Sequence, residues 1–481
     1  MSVNRVRRGV HRRKQVRIGA PDPSLTATSG VAAVAEFVDK LDVVGCFDRG
    51  IGAIKQRARG LGAGELLVGL AQSQLLGGDA LVALDRQRQD VAAAELSAVP
   101  GIASTTAGSL ARRFEAEHLA GIEAAVADLA GRAFGLLPAT RRVGLSSRAT
   151  LDLDSTDVEV YGSRKQGVAY NYAGQRAGRA HLATWAEAGL TTAAELLAGN
   201  DDVRPGAADM LRRGLAGIPE QVRAQAAAAD RLRVRADAGY FTATLAEAAV
   251  EERCDFAVAA KRNTAMWRAY AGIGEAEWAD ARGMPGAQVA AVDYAPAGWP
   301  EDTYTIVRRV RIDAEAISAD PRSRRRRTID PGQLALALEG AATHAYAASF
   351  IVTNIPTHDD PRKGETVRDV EAWFRRRTDI EDRIREAKLG AALRHLPSGH
   401  HGINKVWTWA ALLAGNLSVL LQALTRIDDN GRAHGARLRH ELLCVPARLI
   451  RHGRVLTLRL PPGDQLLPAV LTRIRELDTA A

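Results

Sequence analysis

From about residue 29 to residue 138 apolar residues recur at three- and four-residue spacing, in a stretch rich in Ala and Leu and punctuated by Gly. This pattern predicts a run of helices. At residue 149 the period changes to two. Residues 149–154 (ATLDLD) alternate small or apolar residues with acids and predict a strand, and 182–187 and 193–197 follow as strands. Residues 206–229 read as a helix, 232–236 as a strand, 242–252 as a helix and 255–260 as a strand. Strands that come first and then alternate with helices predict a mixed α/β sheet. Residues 262–344 break the rhythm with short strands such as 304–312, scattered Trp and Pro, and the run 322–327 (RSRRRR), so they read as a β-rich insertion. Strand pattern returns at 346–353, and a single long helix is predicted over 367–389. The tail holds one alternating segment, 454–460, with Leu456, Leu458 and Leu460 on one face.

Composition and charge narrow the picture. The chain has 481 residues, 46% hydrophobic and 25% charged, which is the balance of a folded protein of several domains. Its formal net charge is +9, which favours a polyanionic partner, nucleic acid first and an acidic membrane surface second. Cys46, Cys254 and Cys444 lie too far apart for a zinc motif or a disulfide framework, as expected of a cytoplasmic protein. The N-terminus has no apolar segment behind its charges that would make a signal peptide. Residues 406–424 are long enough to span a bilayer, but Asn416, Ser418 and Gln422 interrupt them. The expectation is a buried helix and no membrane partner. Residues 1–18 hold Arg5, Arg7, Arg8, Arg12, Arg13, Lys14 and Arg17 and no acid, which describes a basic arm, either solubilising or phosphate-binding. Residues 101–106 can cap a helix over 107–114 that carries Arg112 and Arg113. That pair suits a helix-turn-helix recognition element, but an ordinary capped helix is the better reading of the two.

Three acids are candidates for chemistry. Asp154 is placed at the end of its strand, with Asp152 on the same face as structural support. Asp237 falls just after a short strand, with Gly239 allowing a tight turn. Strand ends in open α/β sheets are where ligands collect. On the predicted long helix Phe374, Arg377, Glu381 and Lys388 fall within an arc of roughly 60° at 100° per residue. Taken alone, Arg377 and Glu381 describe a surface ion pair worth about 0.3–0.5 kcal/mol. Taken together, two strand-end aspartates and a helix-borne glutamate can hold two divalent ions, of which Mg²⁺ best suits so few carboxylates.

These segments resemble the DDE transposases of bacterial insertion sequences. The resemblance rests on LDLDST around Asp154, RADAGYF around Asp237, and the spacing of Phe374, Arg377, Glu381 and Lys388, which matches a Tyr-Arg-Glu-Lys signature. Further pieces are similar to the insertion-sequence family numbered thirteen-eighty: Val160-Tyr161-Gly162 with Lys165-Gln166-Gly167, Tyr170-Asn171-Tyr172-Ala173-Gly174, and Leu396-Pro397-Ser398-Gly399. The likeness runs from about residue 151 to 462. Two departures stand out: Phe374 replaces the signature tyrosine, and Arg179-Ala180-His181-Leu182 stands where relatives tend to carry Tyr-His-Pro-Leu.

The resemblance implies an α/β fold with an RNase H-like mixed sheet, a β-rich insertion, and an all-α DNA-binding region in front. In these terms the chain divides into a basic arm (1–24), a helical DNA-binding domain (25–145), a first catalytic part (146–261), the insertion (262–344), a second catalytic part with the Glu helix (345–430) and a C-terminal region (431–481). Asp154, Asp237 and Glu381 would be metal ligands for two Mg²⁺, with Mn²⁺ as substitute, and Arg377 and Lys388 would place phosphates. The expected partner is double-stranded DNA, held by a homodimer in the synaptic complex, with cut-and-paste excision through a hairpin. Tyr161, Arg164, Lys165, Tyr170, Tyr172, Gln175, Arg176 and Arg179 interleave aromatics with cations after Asp154, which suits a DNA backbone with an unstacked base, or a solvated loop. Trp267, Trp278 and Trp299 read singly as core residues, and the resemblance adds that an insertion tryptophan can stack a flipped base. A nuclease without strand transfer and a non-catalytic DNA-binding descendant remain the alternatives.

Overall fold

The computed structural model of the chain describes residues 16–56 and 59–478. The chain enters through a two-residue strand, β1 (Leu25–Thr26), and then the predicted helices: α1 (Val31–Lys40), α2 (Val43–Ile51), α3 (Ala63–Leu75), α4 (Val82–Gln87), α5 (Val91–Leu96), α6 (Ser104–Ala111), α7 (Ala116–Leu136) and α8 (Ala139–Ser146). Helices α2 and α7 cross backbone to backbone at a glycine pair. A Cβ on Gly50 would lie 2.6 Å from the Gly121 carbonyl, so neither position has room for a side chain.

The sheet begins with β2 (Ala149–Glu159), β3 (Ala169–Tyr170), β4 (Arg176–Trp185) and β5 (Leu190–Ala198). Helices α9 (Ala207–Ala216) and α10 (Glu220–Ala228) follow, then β6 (Leu232–Ala236), α11 (Ala243–Glu251) and β7 (Asp255–Ala259). The helix expected over 206–229 is therefore two, parted at Gly217-Ile218-Pro219, where Pro219 can start a helix but not continue one. Residues 262–344 supply α12 (Thr264–Ala271), β8 (Ala279–Asp280), β9 (Ala287–Val292), β10 (Tyr304–Asp313) and α13 (Pro331–Leu338), and β11 (His344–Thr353) follows.

Strand order is β3-β4-β2-β6-β7-β11-β10-β9-β8, with β5 also on β4. Strands β5, β4 and β2 are antiparallel in turn, β6 and β7 run parallel to β2, and β11 returns antiparallel. Strands β8 to β10 thus lengthen the main sheet through the β10–β11 pair. Strand β2 is buried on both faces, as a central strand must be. Leu151 and Leu153 face α9, while Thr150 and Asp152 face the other side.

That other side is covered by α14 (Val367–Arg375) and α15 (Thr378–Leu389), where one long helix was expected. The cause is a competing donor. In a continuous helix the Trp373 carbonyl would accept the Arg377 N–H. Here it accepts from the Arg235 guanidinium and from the Arg376 N–H at 3.2 Å, and the Arg377 N–H turns to Phe374 O at 2.9 Å. Bonds of the i to i−3 kind continue from Asp379 and Ile380 to Arg376 and Arg377, so the chain tightens into a 3₁₀-like step.

Helix α16 (His401–Thr425) runs through the core against α3, α7 and β5, with 83% of its most apolar window buried. Asn416 on it bonds both the N–H (2.9 Å) and the C=O (2.8 Å) of Thr191, and Gln422 bonds Ala433. The chain ends with α17 (Gly435–Leu438), β12 (Ala447–His452), β13 (Val455–Arg459) and α18 (Leu466–Glu476). Strand β12 pairs with β1, and α18 packs on α1, so the C-terminal region lies on the N-terminal helices. Of the face expected over 454–460, Leu456 is open to solvent, Leu458 is half-buried and Leu460 packs against the core.

Candidate active site

Strands β2 and β6 pair in parallel up to Leu153 and Ala236. Asp154 and Asp237 are the next residues out, on neighbouring strands about 4.8 Å apart. The sequence placed Asp154 at the end of its own strand, but β2 continues past it to Glu159 against β4. What ends is β6, which opens the edge of β2 beside Asp154. Asp237 turns the chain by accepting the Gly239 N–H at 2.8 Å. Tyr240, at the end of that turn, is buried, and its hydroxyl has no hydrogen-bond partner among the described residues. Burial, with the charges of Asp154 and Asp237, pushes its phenol well above the ordinary range. Sequence reasoning assigned Tyr240 no role, although it stands in the same RADAGYF segment.

Arg377 caps the start of α15 and donates from Nη1 to Asp154 Oδ2 at 3.1 Å. Its Nη2 lies 4.0 Å from Glu381 Oε1. Asp154 has a side chain only 13% exposed, whereas Glu381 is 62% exposed. Burial raises the Asp154 carboxyl above its usual range and Asp237 adds to this, while Arg377 pulls it down. Lys388 is half-buried, donates to the Asp157 carbonyl at 2.8 Å, and is lowered by desolvation. Phe374 belongs to α14 and packs with the apolar cluster of Ile306, Ile351, Val370 and Trp373. The four-residue stripe expected on one helix is therefore Glu381 and Lys388 on α15, Arg377 at the N-cap position just before it, and Phe374 on the preceding helix.

Among the described residues no three His, Cys, Asp or Glu side chains gather closely enough to hold one metal ion. The guanidinium of Arg377 stands between Asp154 and Glu381 instead. The donor chemistry nevertheless fits a hard divalent cation. Asp154 and Asp237 put two carboxylates at one strand end, with burial the main cause that raises the Asp154 carboxyl and Asp237 a smaller one.

Beneath the acids lies a buried polar layer. Asp152 takes Arg235 in a two-pronged ion pair at 2.6 and 2.8 Å, as the support expected of it. Its carboxyl is nevertheless raised to about 6 by burial. Trp373 stacks under Arg235 at 5.0 Å and donates to Thr150 at 3.2 Å. Farther down, Glu365 accepts from Arg148, Arg231 and Arg233 at 3.0, 3.0 and 2.6 Å.

The segment after β2 divides by role. Arg176 donates to the carbonyls of Gly162 (2.9 Å) and Lys165 (3.3 Å), and Lys165 donates to Leu396 O, so both hold the loop. Arg179 is paired with Asp157 at 2.8 Å. Tyr161, Tyr170, Tyr172 and Arg164 are exposed. Arg112 and Arg113 are exposed too, but they follow the last turn of α6 rather than lying on a helix face. Trp267 packs on Phe350, Trp299 on Phe241 and Phe256, and Trp278 under Arg309. Of the basic arm, residues 1–15 lie outside the described residues.

The family model described as transposase DDE domain group 1 matches residues 8–320 and 334–479. Among solved structures, the piggyBac transposase synaptic complex with hairpin DNA is similar at 9% identity and a TM-score of 0.38, over 87% of this chain and 79% of that one. No curated protein matches the chain.

Proposed function

The chain belongs to the family of transposase DDE domains, group 1, and on that footing we propose that it binds the inverted-repeat ends of an insertion sequence, cuts them and joins them to new DNA. The observation that carries this reading is the pair Asp154 and Asp237 at one strand end, beneath an Arg377 that reaches toward Glu381. The order β5-β4-β2-β6-β7, three antiparallel strands and then two parallel ones, supports an RNase H-like core. In this reading the helices before it form the end-binding region, and residues 262–344 form the β-rich insertion. The spacing of Phe374, Arg377, Glu381 and Lys388 supports membership of family thirteen-eighty and its cut-and-paste route through a hairpin.

Asp154, Asp237 and Glu381 would hold two Mg²⁺, replaceable by Mn²⁺, which when bound supply an activated water or 3′-hydroxyl and stabilise the leaving oxygen. Arg377 keeps Asp154 in place with one arm of its fork and offers the rest to a phosphate oxygen. Lys388 spends one N–H on the Asp157 carbonyl, which fixes α15 on β2, and has two left for phosphate. Arg164 with Tyr161, Tyr170 and Tyr172 suits a strand whose bases stack on exposed rings. Arg112, Arg113 and the basic arm would meet the backbone of the ends. Two ends brought together require a homodimer, acting in the cytoplasm.

The test is a supercoiled plasmid carrying the inverted repeats that flank this gene, incubated with the full chain and Mg²⁺. Excised and joined products are expected. Asp154→Ala, Asp237→Ala and Glu381→Ala should each abolish cleavage and leave end binding intact. Near-normal cleavage by one of them would remove that residue from the triad. Cleavage without joining would favour an RNase H-like nuclease, and binding without cleavage a non-catalytic DNA-binding descendant.

A further inference from the structure

The run Arg322 to Arg327 is a built structure rather than a loose loop. The Asp320 side chain accepts the Arg322 N–H at 2.8 Å, and Arg326 donates to Ala319 O at 2.8 Å. The turn then enters the sheet where Ile329 bridges Ala347 and packs, 3% exposed, with Ile312, Ala337 and Ala345. Gln333 fastens it again, donating to the Tyr270 hydroxyl at 3.3 Å and accepting the Tyr346 N–H at 3.1 Å. Arg322, Arg324, Arg325 and Arg327 project from this clamp exposed, with no acidic partner among the described residues. The acids nearest in sequence are used elsewhere: Asp320 in the turn, and Asp330 in capping α13 through the N–H groups of Gly332 and Gln333.

The register shows which end of the sheet this hook occupies. Strand β10 holds one edge of β11 along its whole length, so Ile329 bridges the other edge, the one that β7 holds from Ile351 to Thr353. Ile329 therefore stands in line with β7, four residues farther along β11 than Ile351, or roughly 13 Å at the usual strand rise. Ala236 pairs with Val258, which sets Asp237 level with Ala259 one strand away. The base of the hook thus lies about 15 Å from Asp237, beyond the same strand ends. That is about four to five base pairs of duplex at 3.4 Å each. The family match breaks off at residue 320 and resumes at 334, so the hook lies outside what the family shares.

We propose that the arginine hook at 322–327 grips the phosphate backbone of the DNA duplex a few base pairs from the reacting phosphodiester. Four free guanidiniums on a rigid turn, beside the candidate active site of a basic chain, match a polyanion by charge and by reach. The inference rests on the transposase reading and adds to it a contact particular to this chain.

The full chain is titrated with a random-sequence duplex several helical turns long, over a range of salt. Two variants accompany it, with Arg322, Arg324, Arg325 and Arg327 all changed to Gln or all to Lys. The Gln set should lower the slope of log K against log salt by about 0.9 for every phosphate it no longer neutralises, hence by two to four in all. The Lys set should recover most of it, with melting temperatures unchanged. Should the Gln set melt early, Arg324→Gln and Arg325→Gln singly should each lower the slope by about 0.9. A steep wild-type slope unchanged in every Gln variant overturns the hook and leaves the transposase reading standing. A wild-type chain that binds no duplex overturns the transposase reading itself.

Discussion

Arg377 answers two of the three acids with one guanidinium, 3.1 Å from Asp154 and 4.0 Å from Glu381. Were it a helix-surface partner of Glu381 alone, its loss would cost a few tenths of a kcal/mol and leave catalysis untouched. The contact to a mostly buried Asp154 makes it part of the acid cluster. Arg377→Ala should lower cleavage about tenfold or more, which is 1.4 kcal/mol of transition-state stabilisation, while the melting temperature moves little. Arg377→Lys should restore only part, because an ammonium lacks the fork. Unchanged cleavage with a lowered melting temperature would reduce Arg377 to an ordinary ion pair. At this scale the placing of Asp154 and Asp237 side by side at a strand end was legible, since carboxylates beside short strands are costly to bury without a use. The partner of Lys388 was not, because a backbone carbonyl such as Asp157 O leaves no mark in the sequence.

Between α14 and α15 a side chain decides the course of a helix. Arg235 takes the Trp373 carbonyl and is itself held by Asp152, so the step that aims Arg377 and Glu381 is fixed from the strand below. Arg235→Met should cost about 3–5 kcal/mol, because it leaves Asp152 buried and unpaired. Asp152→Leu combined with Arg235→Met should regain most of that stability, yet not cleavage, since the carbonyl loses its side-chain donor and can take the Arg377 N–H, so that the helix can run through. Thermal melts and cleavage measured on both proteins check this, and full cleavage by the double variant would separate the pair from the site. The limits of β6, β7, β10 and β11 were legible to within two residues, whereas β2 runs five residues past the expected 154 and β4 begins six before the expected 182, where polar and small residues hide the period of two. The step at 376–377 was not, for it holds no Gly or Pro and its cause lies 138 residues away. The break at Pro219 could have been read.

Across the molecule the N-terminal helices, the sheet and the tail share one apolar core, which runs from Ala33 to Ile474. One seam in it titrates. Glu123 on α7 accepts the Ala194 N–H of β5 at 3.2 Å and Arg213 of α9 at 2.9 Å, and burial raises its carboxyl to about 7. A carboxyl raised on folding favours the folded state below its unfolded value, near 4.5, and loses that contribution as pH rises through 7. The melting temperature should therefore fall from pH 5 to 8, and Glu123→Gln should flatten this fall; an equal fall in the variant would place its origin elsewhere. The tail is the other seam, and no periodicity could reveal it, because pairing β1 with β12 joins residues more than 400 apart. Ile474 on α18, 1% exposed, is part of the same core, while the neighbouring Arg475–Glu36 pair is exposed and worth little. Ile474→Ala should cost about 2–5 kcal/mol. If the core is one cooperative unit, that cost falls on the whole chain. Tryptophan fluorescence, which comes entirely from residues after 184, should then shift by as much as helical circular dichroism. A shift in the helical signal alone would show that the N-terminal helices and the tail unfold as a body of their own.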